Sequence, residues 1–206
     1  MKLSIASKVL LACLSVAATA CSPSPPDATG VATATDTGEA AAPPARIVPL
    51  PASVETRPGE LAIAKAVAVE LPADAPMATR ALEELLDTLA LARDGAAPVR
   101  VRLALEDDAA LGEEGYRLEV GEGIALVART DIGLLHAVQS LRQLLPATAQ
   151  PEYRLPHLAI ADAPAYPWRG LSLDVARSFM PVEYLEKHID RMAMFKMNRL
   201  HLHLSD

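Results

Sequence analysis

The residues best suited to chemistry lie near the C-terminal end: Asp174, Arg177, His201, His203 and Asp206. His201 and His203 are two positions apart, so in a strand they share a face, and two imidazoles on one face can hold a metal ion. The other reading is that both fill the interior of a barrel and hydrogen-bond polar neighbours. Asp174 and Arg177 favour that second reading. They end the strand before the histidine pair, and an acceptor beside an always-charged planar fork suits hydroxyl or carboxylate recognition better than metal ligation.

Two strands and one helix must position these groups. Residues 169–177 put Leu171, Leu173 and Val175 on one face and Ser172, Asp174 and Ala176 on the other. Polar groups near the C-terminal end of such a strand occur where barrel enzymes place their sites. Pro181 suits the first turn of a helix, and Glu183 and Glu186 favour its positive end while facing outward. Val182, Leu185, Ile189 and Met192 form the stripe expected to be buried, with Met192, Met194 and Met197 as core filler and Asn198 as the stop. Leu200, Leu202 and Leu204 then alternate with His201, His203 and Ser205 in a second strand that ends at Asp206. A β-α-β unit needs further strands to close a sheet. Residues 165–206 are therefore expected to open an incomplete (β/α)8 barrel. Their Leu faces and strand edges lack partners, so this segment is expected to be poorly stable.

Residues 46–164 read as an α/β (α+β) domain with helices on one face of a mostly antiparallel sheet. Ile47 to Pro51 suggests a short strand-like entry, and Ala66 to Leu71 alternates up to Pro72. Leu82, Leu85, Leu86 and Leu89 give a helical stripe over 77–92, with Glu83, Glu84 and Asp87 opposite. Val99 to Leu105 alternates strictly, turning Arg100 and Arg102 outward. Residues 115–120 and 123–128 flank a Gly-Glu-Gly hairpin signal. Asp131 is placed to cap a helix running to Leu145, with Leu134, Val138, Leu141 and Leu145 on one stripe and Pro146 ending it. No catalytic constellation is legible here. His136 reads as a partly buried helix residue, and Glu106–Asp108 and Glu113–Glu114 read as solvated loops without the spacing of a calcium site.

The front of the chain reads as processing and tether. Lys2 and Lys8 precede an apolar run too short to span a bilayer. The run leads through Ala18, Thr19 and Ala20 into Cys21, which resembles the lipobox of bacterial lipoproteins; ordinary cleavage leaving a free Cys21 thiol is the alternative. Residues 1–21 are thus expected to be a lipoprotein signal peptide, with Cys21 the lipidated residue. By resemblance to Gram-negative lipoproteins, Ser22 directs the protein to the outer membrane or the periplasmic face. Residues 22–45, rich in Ala, Thr, Pro and Ser, cannot offset their ordering entropy and read as a disordered linker. With Cys13 removed and Cys21 lipidated, no thiol pair is left for a disulfide or a cysteine zinc site. A formal net charge of -7 argues against nucleic acid as a partner.

Residues 167–177, Lys196–Asn198 and 200–206 together resemble the start of the catalytic barrel of family 20 glycoside hydrolases, the β-N-acetylhexosaminidases. The stretch from Glu114-Gly-Tyr-Arg-Leu through Gly133 to Leu145 is similar to the end of that family's N-terminal α/β domain. The resemblance implies removal of terminal N-acetylhexosamine from glycans, with no metal or organic cofactor. It matches Arg177 to the arginine that hydrogen-bonds sugar hydroxyls, Asp206 to an aspartate of the sugar pocket, and Asp174 and His203 to supporting positions. Arg169 is expected to brace the lower rim of the barrel rather than touch sugar. Ser178 stands where the family commonly has His. The implied mechanism is substrate-assisted retention, an exception to the two-carboxylate scheme: the acetamido oxygen attacks, one Asp orients it and the adjacent Glu protonates the leaving oxygen. That Asp-Glu pair is expected beyond residue 206, because a barrel takes about 250 residues and 166–206 supply about forty of them. The 206-residue chain alone is then expected to be inactive. A lipid-anchored, non-catalytic binding or scaffold protein is the alternative from another class, and a metal-dependent barrel hydrolase using His201 and His203 is a third.

Overall fold

The hairpin signal and the alternating strands fold into a seven-stranded sheet, seen in a computed structural model that describes residues 47–205. The expected signal peptide (residues 1–21) and linker (residues 22–45), with Cys21, and also Asp206 lie outside the described residues. The strands are β1 (Ser53–Ile63), β2 (Ala66–Glu70), β3 (Ala92–Arg93), β4 (Arg100–Leu105), β5 (Tyr116–Val120), β6 (Ile124–Ala128) and β7 (Tyr153–Asp162), in the order β1-β7-β5-β6-β4-β2-β3. β1, β7, β5 and β6 pair antiparallel, whereas β6, β4, β2 and β3 pair parallel. The sheet is thus evenly mixed, one half antiparallel and the other parallel, rather than mostly antiparallel. The parallel half follows from the connection between β2 and β4, which runs through a helix.

Two helices, α1 (Pro76–Thr88) and α2 (Asp131–Leu144), cover one face. Leu82, Leu85, Leu86 and Leu89 from the α1 region meet Leu134, Ala137, Val138 and Leu141 of α2 over Val101, Leu103, Leu118, Val120 and Leu126 of the strands. On the opposite face Arg100, Arg102, Arg117 and Glu119 are exposed. Leu145 is half-buried just past the helix, where it still packs on the core.

Asp131 does not cap its own helix. Thr130 does, its hydroxyl accepting from Gly133 N at 3.1 Å. The Asp131 carboxylate reaches across to α1 and accepts from Met77 N at 3.0 Å and Ala78 N at 2.9 Å. One carboxylate therefore lies at the positive ends of two helices, and α1, whose own preceding residue is Ala75, is capped by its neighbour. The expected entry strand at 47–51 is absent; β1 begins at Ser53.

The second unit comprises β8 (Gly170–Asp174), α3 (Val182–Met194) and β9 (Arg199–His203), with β8 and β9 paired in parallel. Leu173 of β8 and Met192 of α3 are buried. The rest of the expected α3 stripe is not buried: Leu185 is half-buried, and Val182 and Ile189 are exposed. Two strands offer one helix too narrow an apolar floor to cover a stripe of that width. Met194 is half-buried and Met197 exposed, so of the three methionines Met192 alone is core. The helix stops before Asn198. Met197 N donates to Met192 O and Lys196 N to Ala193 O, a Schellman turn that places Lys196 at φ 58°.

Candidate functional site

The parallel register sets Ser172 opposite His201 and Asp174 opposite His203, so these four side chains share one face of the strand pair. Ser172 Oγ and His201 Nδ1 lie 3.3 Å apart, and His203 Nδ1 lies 3.5 Å from Asp174 Oδ1. Val175 N and Ala176 N both donate to the His203 carbonyl, closing the C-terminal end of the pair. Past β8 the chain turns around the Asp174 carboxylate. It accepts from Ala176 N at 3.2 Å and Arg177 N at 3.1 Å, and its other oxygen accepts from Arg177 Nη1 at 2.9 Å.

The Arg177 backbone N–H is the main reason the Asp174 carboxyl is held below its ordinary range, with His203 and Ala176 N adding to it. Asp174, an anion at neutral pH, holds the Arg177 guanidinium beside it at the C-terminal end of the strands, where barrel sites are built. Such a fork can donate to two adjacent hydroxyls. Three residues expected at one site, Asp174, Arg177 and His203, are thus brought together; Asp206, the fourth, lies outside the described residues. Among the described residues no group of three or more His, Cys, Asp or Glu is placed to hold a metal ion.

At the opposite end of β8 and β9 lies a polar cluster that the local sequence did not announce. Lys196, its side chain 3% exposed, donates to Tyr116 Oη at 2.8 Å and to Asp162 Oδ2 at 2.9 Å. Tyr116 donates to Asp162 at 3.0 Å, so the hydroxyl of Ser140, 2.6 Å away, must donate to Tyr116. Burial pushes the Lys196 ammonium down and the Tyr116 phenol up. Burial also pushes the Asp162 carboxyl up, but the Lys196 ammonium and the Tyr116 hydroxyl outweigh it and hold the group below its ordinary value.

Beside this cluster Arg169 grips Glu114 with both terminal nitrogens at 2.9 Å. Its Nε donates to the Lys196 carbonyl and its Nη1 to the Tyr166 carbonyl, each at 2.6 Å. Arg169 braces the lower rim as expected, and its anchor is the α/β domain. Glu114 is therefore no solvated loop residue. His136 is buried and donates Nδ1–H to the Glu114 carbonyl at 3.1 Å; burial pushes its imidazole down, so it serves as a neutral strut.

Arg169 is the main cause holding the Glu114 carboxyl below its ordinary value. Between that lowered value and about 4.3 the unfolded chain binds more protons than the folded one. The stabilisation from Glu114 is hence complete above that window and lost as pH falls through it. Glu114→Gln should lower the urea midpoint at pH 7, and the gap to wild type should shrink on acidification to pH 3. A gap that does not change with pH would count against the ion pair.

Residues 45–163 match the model of glycosyl hydrolase family 20, domain 2, and residues 166–206 match that of glycosyl hydrolase family 20, catalytic domain. The chain belongs to glycosyl hydrolase family 20. A beta-N-acetylhexosaminidase of Cellulomonas fimi is 45% identical over 114 residues, which are 55% of this chain and 23% of that protein. The N,N'-diacetylchitobiase of Vibrio harveyi is 36% identical over 165 residues, 78% of this chain and 18% of the relative. A solved structure of a mutant Streptomyces plicatus beta-hexosaminidase in complex with product (GlcNAc) superposes with a TM-score of 0.66 at 38% identity, covering 79% of this chain and 35% of that one. The chain spans less than a quarter of the length of the curated relatives it matches. In family 20 terms, Glu114, Tyr116, Ser140 and Asp162 belong to domain 2, and Arg169 and Lys196 belong to the segment of the catalytic domain.

Proposed function

We propose that the intact protein is a β-N-acetylhexosaminidase that removes terminal N-acetylhexosamine from glycans with retention, using the substrate's own acetamido oxygen as nucleophile. The observation that carries this reading is the Asp174–Arg177–His203 constellation at the C-terminal end of β8 and β9, within a family 20 catalytic-domain segment. The names of the Cellulomonas and Vibrio relatives support it. In this reading Arg177 donates to sugar hydroxyls, Asp174 orients Arg177, His203 buttresses Asp174, and Asp206 lines the same pocket. The acid and the acetamido-orienting aspartate come from barrel strands after residue 206, so residues 1–206 alone turn over no substrate. Cys21 is lipidated and anchors the protein to the outer membrane or its periplasmic face.

The intact protein is expected to release nitrophenol from nitrophenyl N-acetyl-β-glucosaminide and not from nitrophenyl β-glucoside, which lacks the acetamido group. Arg177→Lys should lower kcat/KM by about 10- to 100-fold, since a charged hydrogen bond contributes about 1.5–3 kcal/mol. Equal cleavage of both glycosides would remove the substrate-assisted mechanism. No cleavage of either would favour a binding or scaffold protein. Radiolabelled palmitate incorporated by wild type and lost in Cys21→Ala checks the anchor.

A further inference from the structure

The turn that ends α3 is made in a costly way. Its left-handed position is one that glycine takes without strain, whereas a side chain there costs about 1–2 kcal/mol. Lys196 occupies it at φ 58°. The two backbone bonds of the turn would form equally well with glycine, and the lysine side chain adds nothing local to them: the partners of its ammonium, Asp162 and Tyr116, are in β7 and β5 of the other domain. A buried ammonium adds a desolvation cost that is offset only by full pairing. Lysine at this position makes sense for where its ammonium goes, not for the turn it forms.

The same residue holds the bases of both strands. Its carbonyl accepts from Arg169 Nε, and the Arg169 carbonyl accepts from Asn198 N and Arg199 N. Asn198 Oδ1 in turn accepts from Arg169 N, and its amide donates to the Pro167 carbonyl. β8 and β9 therefore start from one knot, and they are tied again at the top by the His203 carbonyl. A strand rises about 3.3 Å per residue, so the site end lies about 13 Å above the base, and a tilt of about 10° at the base moves it by about 2 Å. A displacement of about 1 Å can cost a hundredfold in rate.

We infer that Lys196 is a positioning residue: through Asp162 and Tyr116 it fixes the angle at which β8 and β9 leave the α/β domain, and so sets where Asp174, Arg177 and His203 stand. The role of those three in sugar recognition rests on the proposed activity; the positioning itself does not. The α/β domain then acts as the jig of the site, although it contributes no group to it.

The test is orientation, measured as residual dipolar couplings of backbone amides in the 206-residue chain, with no sugar present. In the wild type, amides of β5, β6 and β7 and those of Leu171, Leu173, Leu200 and Leu202 should fit one alignment tensor. Lys196→Gly relieves the turn but removes the ammonium. Asp162→Asn keeps the shape and the bond from Ala52 N but removes the charge, and it lies in the other domain. In both variants the β8 and β9 couplings should shrink at least twofold and leave the common tensor, while the α/β amides keep theirs. A lysine that merely forms the turn would be improved by glycine. One shared tensor in both variants overturns the inference, as does an equal collapse of couplings in both domains. Failure of the intact protein to cleave a glycoside would overturn the activity and leave this result standing.

Discussion

Arg169→Met should lower stability by about 3 kcal/mol at pH 7, read from the urea midpoint. Removing one partner of a buried ion pair costs about 3–5 kcal/mol, because the other charge is left desolvated and alone. Arg169 has a side chain 13% exposed and Glu114 one 26% exposed, so the lower end of that range applies. Methionine keeps the apolar stem, so the loss reports the guanidinium. It also strips the Lys196 and Tyr166 carbonyls of their donor. Lysine at 169 should recover only part of the loss, since a point charge cannot make the two parallel bonds to Glu114. The contrast is Arg80, whose 2.8 Å pair with Glu84 is exposed on α1. Arg80→Ala should leave the urea midpoint essentially where it is in wild type. Equal shifts for the two arginines would show that the domain junction is not a buried electrostatic contact.

That contrast also marks what the sequence could and could not disclose. The stripe of Leu82, Leu85, Leu86 and Leu89, the alternation of β4 and the β5–β6 hairpin were legible because each is a local period set by one buried face. β1 was not. Its residues 55–60 are exposed and charged or small, and its pairing with β7 slips between Thr56 and Glu60, so no alternation survives. β7 carries Pro156 at that irregular point, which hides a strand from pattern reading. In the site, Asp174, Arg177 and His203 were legible because they cap two alternating strands. Glu114, Asp162, Tyr116 and Lys196 were not: Lys196 meets Tyr116 across 80 positions of chain, and nothing in the neighbourhood of either predicts the meeting. The expected burial of Val182 and Ile189 failed for a related reason. An amphipathic stripe states what a helix can bury, not which surface is there to receive it.

Gly133→Ala should be as damaging as the loss of Arg169, although alanine is the better helix former by about 1 kcal/mol. A Cβ on Gly133 would stand 2.5 Å from the Gly115 carbonyl oxygen and 2.8 Å from Ala128 Cβ. Neither neighbour is the tip of a flexible chain, so α2 must lift from β5 and β6 or the strands must part. Overpacking of this kind costs about 1–3 kcal/mol, occasionally more, and the backbone contact places this variant at the upper end. Gly95→Ala, where a Cβ meets nothing within 4 Å, should stay within about 0.5 kcal/mol of wild type. The push on Gly115 has a second consequence. Gly115 follows Glu114, whose carbonyl holds His136 on α2 and whose carboxylate holds Arg169. Lifting α2 should therefore drag Glu114 off Arg169, so that Gly133→Ala and Glu114→Gln combined cost less than the sum of the two, by at least 0.5 kcal/mol on the usual scale of coupling between contacting residues. Strict additivity would mean that the helix shift is absorbed within the α/β core before it reaches the strands that carry Arg177.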